Sequence, residues 1–135
     1  TFTVTLSAPV GGVIVEPATA TVTVADPGAR DPSFTADFIN STVNRVLPLP
    51  DGRLVIAGWF SQLQDAAFDL YAFGRVARLS GDGAVDLDFN PGAGADGTIY
   101  ALARQPGGRL LIGGDFANYA GIARARLARL NDDGT

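Results

Sequence analysis

The sequence contains no cysteine, no histidine, no methionine and no lysine. Without cysteine there are no disulfides, no thiolate metal sites and no thiol nucleophiles. Without histidine the commonest general base and the commonest zinc ligand are both missing. A chain with no methionine does not open at a start codon, so it reads as a piece of a longer protein. No run approaches the roughly 18 apolar residues that a membrane-spanning helix needs, and the chain opens in a strand pattern rather than a signal peptide. Charged residues make up 18% of the chain, too few for a disordered tail. All ten basic residues are Arg, and all but one of the fourteen acidic residues are Asp, giving a net charge of −4. An acidic surface repels phosphate backbones, so nucleic acid is not an expected partner.

What is present points to β structure. Seventeen glycines and eight prolines beside 47% hydrophobic residues suit a chain of short strands and tight turns. Residues 1–7 alternate, with Phe2, Val4 and Leu6 on one side and threonines on the other. A second alternating strand runs through Thr19, Ala20, Thr21, Val22, Thr23 and Val24, and Asp26-Pro27-Gly28 closes it. Two strands alone are marginal in water, so this pair expects a larger sandwich to pack against.

The rest of the chain repeats. Residues 50–60 read PDGRLVIAGWF and residues 106–116 read PGGRLLIGGDF, 56 residues apart. A fixed period of that size marks a repeat architecture. Asp31-Pro32-Ser33-Phe34 corresponds to Asp86-Leu87-Asp88-Phe89, and Arg75-Val76-Ala77-Arg78-Leu79 to Arg126-Leu127-Ala128-Arg129-Leu130. The offset falls from 56 to 51 between Phe60 and Arg75, so the first copy carries five extra residues there, expected in a loop. The pattern predicts four strands per unit, at 43–49, 53–60, 74–80 and 85–89 in the first copy. Asp51-Gly52 and Gly107-Gly108 predict primed hairpin turns. The strands after Arg53 and Arg109 are apolar on both faces, as strands between stacked sheets are. Residues 117–130, rich in Ala, Arg and Leu, could pass alone for a helix; their shorter, glycine-bracketed twin argues for strands. Four short strands per unit at this period read as β-propeller blades.

The motifs PDGRLVIAGWF, PGGRLLIGGDF, RVARLSGDG, RLARLNDDG and DLDFNPG resemble the delta-60 repeat, a propeller-forming repeat of large bacterial proteins, over residues 31–135. The departures are Trp59, in place of a small or acidic residue, and the insertion. TFTVTLSAPVGG and ATATVTVAD resemble the C-terminal end of a Calx-beta domain, an antiparallel sandwich. The expected organisation is therefore all-β. Residues 1–28 would be the last strands of a Calx-beta-like sandwich and residues 29–135 propeller repeats, the first at 31–89 and the second, incomplete, at 90–135. Further blades and the rest of the sandwich are expected in the parent chain. The resemblance implies an extracellular or surface-bound bacterial protein with no catalytic activity to carry over.

Candidate sites are few. In calcium-binding Calx-beta members an acidic run follows the final strand; here it is reduced to Asp26, the one metal candidate, for which a solvated turn is the favoured reading. Residues 86–92 (DLDFNPG) have a calcium-loop look, but an EF-hand needs Gly sixth and Glu twelfth, where Pro91 and Gly97 stand. A turn explains the acids better. Paired carboxylates could serve glycoside hydrolysis, yet they lie mostly in Asp-Gly turns, and no catalytic residue is assigned. The pairs Arg75/Arg78 and Arg126/Arg129 suit a polar ladder between blades, or an anion site. Trp59, Tyr71 and Phe73 could form a sugar platform or fill space between blades. The expectation is a non-catalytic scaffold, without cofactor in these residues, whose blades present loops such as 61–74 to a protein or carbohydrate partner. Calcium-dependent adhesion through the sandwich part, with calcium bound in the full-length protein, and a carbohydrate-active propeller enzyme are the alternatives.

Overall fold

The computed structural model describes residues 4–5, 19–20, 31–34, 38–65 and 67–135. The chain divides into two compact units, Thr1–Pro32 and Ser33–Thr135, where the sequence suggested a boundary at 28/29. In the first unit, β1 (Val4–Thr5) pairs antiparallel with β2 (Thr19–Ala20), Val4 lying opposite Ala20. Asp26 lies outside the described residues.

The second unit contains two copies of one three-stranded antiparallel blade. The first copy runs β3 (Phe38–Ile39), β4 (Val43–Pro48), β5 (Leu54–Gly58), β6 (Gln62–Gln64), β7 (Leu70–Ala72) and β8 (Val76–Leu79). The second runs β9 (Ile99–Arg104), β10 (Leu110–Gly114), β11 (Asn118–Tyr119), β12 (Ile122–Ala123) and β13 (Leu127–Leu130). The blades are β4-β5-β8 and β9-β10-β13, with β5 and β10 central. Residues 117–130 are thus strands, and the described residues contain no helix. The fold is all-β, as the alternation and turn chemistry require.

Side chains on a strand alternate between faces, and this decides how the blades stack. On one face of the first blade Val55 stands opposite Arg78 and Ala57 opposite Val76; on the other, Leu54 faces Leu79 and Ile56 faces Ala77. The first face is covered by the second blade, whose Ile99, Leu110 and Ile112 share one apolar cluster with Val55, Ala57 and Val76. The opposite face packs against Phe60, Leu63 and Phe73. Both faces of β5 are therefore buried, as its unbroken apolar run anticipates. In the second blade, Leu110, Ile112, Ala128 and Leu130 turn toward the first, and Leu111, Leu127 and Arg129 turn away. Each fully buried large side chain contributes about 1.5–3 kcal/mol relative to exposure.

Three local expectations are corrected. The predicted strand 85–89 reduces to a single bridge, Leu79 to Val85. The Asp86 carboxylate accepts the Asp88 N–H and its carbonyl the Phe89 N–H, which coils the chain into a turn instead of a ladder. The turn at 50–52 is not primed: Gly52 alone takes a positive φ (+89°), in a three-residue loop closed by Leu49 N–H to Arg53 O at 2.8 Å. That geometry is a turn followed by a left-handed glycine. The five-residue insertion is not simply a loop, since it lengthens a hairpin. β6 and β7 span 62–72, where β11 and β12 span only 118–123 around Ala120-Gly121.

Glycines 58 and 114, which end the central strands, are demanded by a bulge. A Cβ on Gly58 would lie 2.1 Å from the Thr42 carbonyl oxygen, and one on Gly114 2.0 Å from that of Thr98. The same carbonyls accept the next amides, Trp59 N–H at 2.9 Å and Asp115 N–H at 2.8 Å.

Candidate functional site

The chemistry-bearing side chains gather where the blades meet. Arg78 on β8 is only 3% exposed, the one charged residue among the buried polar groups of the described chain. Its Nε donates to Asp86 Oδ2 at 2.7 Å, and its Nη1 crosses to the second blade and donates to the Asp132 carbonyl at 2.8 Å. The guanidinium carbon lies 5.3 Å from the centroid of the buried Phe89 ring. Arg53, itself paired with Asp51, reaches Asp86 Oδ2 at 3.2 Å. Burial pushes the Asp86 carboxyl up, but hydrogen bonds from Arg78, the Asp88 amide and Arg53 outweigh it and hold the group below the usual carboxylate range. Asn44 adds a second crossing, its Nδ2 donating to the Ile99 carbonyl at 2.9 Å.

Of the expected ladder between blades, Arg78 alone is shown bonding across the junction, while Arg75 and Arg126 are engaged within their own blades. Arg75 and Arg126 both take left-handed backbone conformations, φ 72° and 65°. Arg126 pairs with Asp115. Arg75 faces Trp59 at the equivalent position, lying 3.9 Å from the ring centroid and donating to the Trp59 carbonyl at 3.0 Å. The departure at Trp59 thus exchanges an ion pair for a cation–π contact. Arg78 is engaged as above, and its twin Arg129 is exposed.

A second repeated device shows in the sequence only once its role is known. Asn40 Oδ1 accepts the amides of Ser61 and Gln62 at 3.0 and 3.1 Å. Asp96 Oδ1, 56 positions on, accepts those of Ala117 and Asn118 at 2.9 and 3.0 Å. The signal was the pair Asn40-Ser41-Thr42-Val43 and Asp96-Gly97-Thr98-Ile99, an amide or acid two residues before a shared Thr. Each clasp fixes the start of the hairpin that leaves its blade.

The first of these hairpins is the long one. Asp65 organises its tip: Oδ1 accepts the Ala67 and Asp69 amides, both at 2.9 Å, and Oδ2 accepts the Tyr71 hydroxyl at 2.9 Å. These hydrogen bonds, that of the Asp69 amide foremost, hold the Asp65 carboxyl below its ordinary range. The tip places Phe68, with φ 69°, at 79% exposure and Leu70 at 63%.

The aromatic candidates are not gathered into one platform. Phe73 is buried, Tyr71 is tied to Asp65, and one face of Trp59 is taken by Arg75. In the 86–92 stretch Asp86 is consumed by Arg78 and Arg53, and Asn90 Oδ1 accepts the Gly92 amide in a turn. Among the described residues no three acidic side chains form a group able to hold a metal, and no helix is long and apolar enough to cross a membrane.

A family model described as "Domain of unknown function (DUF5122) beta-propeller" matches residues 49–68 and 105–135, the turn-and-strand segments of both copies. It supports the propeller repeat and does not reach residues 1–28, on which the Calx-beta resemblance rests. No curated protein and no solved structure matches the chain.

Proposed function

We propose, from the premise of two propeller repeats, that the chain is a non-catalytic scaffold of a bacterial surface or secreted protein and that it presents the 61–74 hairpin to a protein or carbohydrate partner. The observation that supports this reading is the contrast between the copies. The same blade carries a minimal hairpin once and, once, a hairpin lengthened by five residues whose tip thrusts Phe68 into solvent. A bulky residue held at positive φ and exposed is a strained arrangement that packing does not explain.

The test is a variant in which residues 64–70 are replaced by Ala-Gly, the pair at Ala120-Gly121. A presented element is dispensable for folding, so the variant should unfold within about 0.5 kcal/mol of the parent. A loss above about 2 kcal/mol would make the hairpin a structural part and sink the reading. Turnover of chromogenic glycosides by the parent, abolished by an Asp→Asn substitution, would replace the scaffold with an enzyme.

A further inference from the structure

The long hairpin has an outer edge that the connector between the blades leaves open. Across the hairpin, Asp65 N–H donates to Asp69 O at 3.1 Å and Phe73 N–H to Ser61 O at 2.9 Å. Bonding sites alternate along an antiparallel strand, so Tyr71 also faces β6, and the main-chain groups of Leu70 and Ala72 face the other way. β7 is the last strand of its sheet, in the order β3-β6-β7, and among the described residues no strand pairs with that outer side. The connector meets the edge once, where Ala95 N–H donates to Gly74 O at 2.8 Å. A turn then carries it off, closed by Gly94 N–H to Pro91 O at 3.0 Å, with Gly92 and Gly94 at φ 58° and 61°. Between hairpin and connector lies a groove of about 280 Å³, walled by Leu70, Tyr71 and Phe73 on one side and Leu87, Phe89 and Pro91 on the other. Both walls are described throughout.

The groove's chemistry selects its occupant. Leu70 and Leu87 are 63% and 61% exposed, so its mouth is apolar. Two exposed acids adjoin it, Asp69 beside Leu70 and Asp88 between Leu87 and Phe89, and neither enters an ion pair among the described residues. Arg53 and Arg78 are taken by Asp86, and Arg75 by Trp59. Outward N–H and C=O groups suit an extended main chain, apolar walls an apolar side chain, and unpaired acids a cation. A sugar is served poorly, since the Tyr71 hydroxyl is spent on Asp65 and Phe73 and Phe89 are buried.

We propose that this groove takes an extended cationic segment of a protein partner, added as a strand to the outer edge of β7. Its main chain pairs with Leu70 and Ala72, an apolar side chain enters between Leu70 and Leu87, and its Arg or Lys side chains meet Asp69 and Asp88. The proposal rests on the hairpin reading and names the partner that the hairpin receives.

The probe is the fluorescein-labelled peptide Arg-Val-Arg-Val-Arg-Val, titrated by anisotropy into the 135-residue protein. Saturable binding is expected below about 1 mM. Asp69→Asn and Asp88→Asn, both at exposed side chains, should each weaken it about threefold, and Leu87→Ala about fivefold. Asp132→Asn, which removes the same charge from an exposed site on the second blade, should leave it unchanged. N-methylation of every peptide amide keeps the charge but removes the main-chain donors, and it should abolish saturation. Absence of saturation at about 1 mM, binding that survives N-methylation, or binding indifferent to both Asp→Asn changes overturns the proposal. Saturable binding of cellotetraose that Leu87→Ala abolishes would assign the groove to carbohydrate, and self-association dispersed by Asp88→Asn would assign it to a second copy; either overturns it. The exchange of residues 64–70 reads stability whereas this titration reads a ligand, so the hairpin reading and the present proposal fail separately.

Discussion

Arg78 shows how one residue type can do different work at equivalent positions. A guanidinium withdrawn from water is tolerable only when its donors are met, and here a carboxylate, a carbonyl and a ring meet them. Removing it by Arg78→Ala leaves the largely buried Asp86 with the outer Arg53 as its one paired cation, beside the Asp88 amide. The expected loss is about 3 kcal/mol in urea unfolding at pH 7. The loss should shrink as pH falls below the ordinary carboxylate range and Asp86 takes a proton. A penalty independent of pH would assign the role of Arg78 to packing alone. A wider pH prediction follows from the carboxylates held low by hydrogen bonds: Asp51, Asp65, Asp82, Asp86, Asp96 and Asp133. A depressed folded pKa contributes stability that is fully present above the unfolded value, near 3.9, and is lost as pH falls through the folded value. With no histidine to titrate, stability should be flat between about pH 5 and 7 and fall steeply below about 4. A slope between pH 5 and 7 in the melting temperature would contradict this.

At the level of the element, local chemistry decides where a strand stops. The bulge that folds Thr42 over Gly58 and Thr98 over Gly114 leaves no space for a methyl group, and the obstacle is backbone, which cannot rotate aside. Gly58→Ala and Gly114→Ala should each cost more than about 2 kcal/mol in urea unfolding. Gly52→Ala, with open space around its Cβ but φ +89°, should cost only about 1 kcal/mol. Equal costs at Gly52 and Gly58 would show that conformation rather than collision sets the penalty. The strands themselves were legible, because a run such as LVIAG with glycine and proline at its ends has one economical reading. The missing fourth strand was not. The Asp86 side chain captures the Asp88 amide, and alternation says nothing about a side chain competing with a ladder. Likewise Asp-Gly signals a turn but does not specify its hand, and a five-residue offset locates an insertion without showing that it extends a hairpin. The clasps at Asn40 and Asp96 escaped notice because one is an amide and the other an acid, alike only in the oxygen they offer.

At the scale of the second unit, the two blades share one core, and that has a measurable consequence. Val55, Ala57 and Val76 of the first blade cluster with Ile99, Leu110 and Ile112 of the second, and Arg78 and Asn44 bond across the junction. A single repeat cannot bury its hydrophobic face alone, so each blade depends on the other. Amides of β4 and β5 should therefore exchange with solvent at the same opening free energy as those of β9 and β10, through a single cooperative event. Arg78→Ala removes a bond to the second blade's turn as well as the partner of Asp86, so it should lower protection in both blades equally. The short hairpin amides of β11 and β12, at the periphery, should exchange faster in either protein. Protection lost only in the first blade would mean that the blades are independent stacked units, and that the arginine serves its own blade rather than the junction.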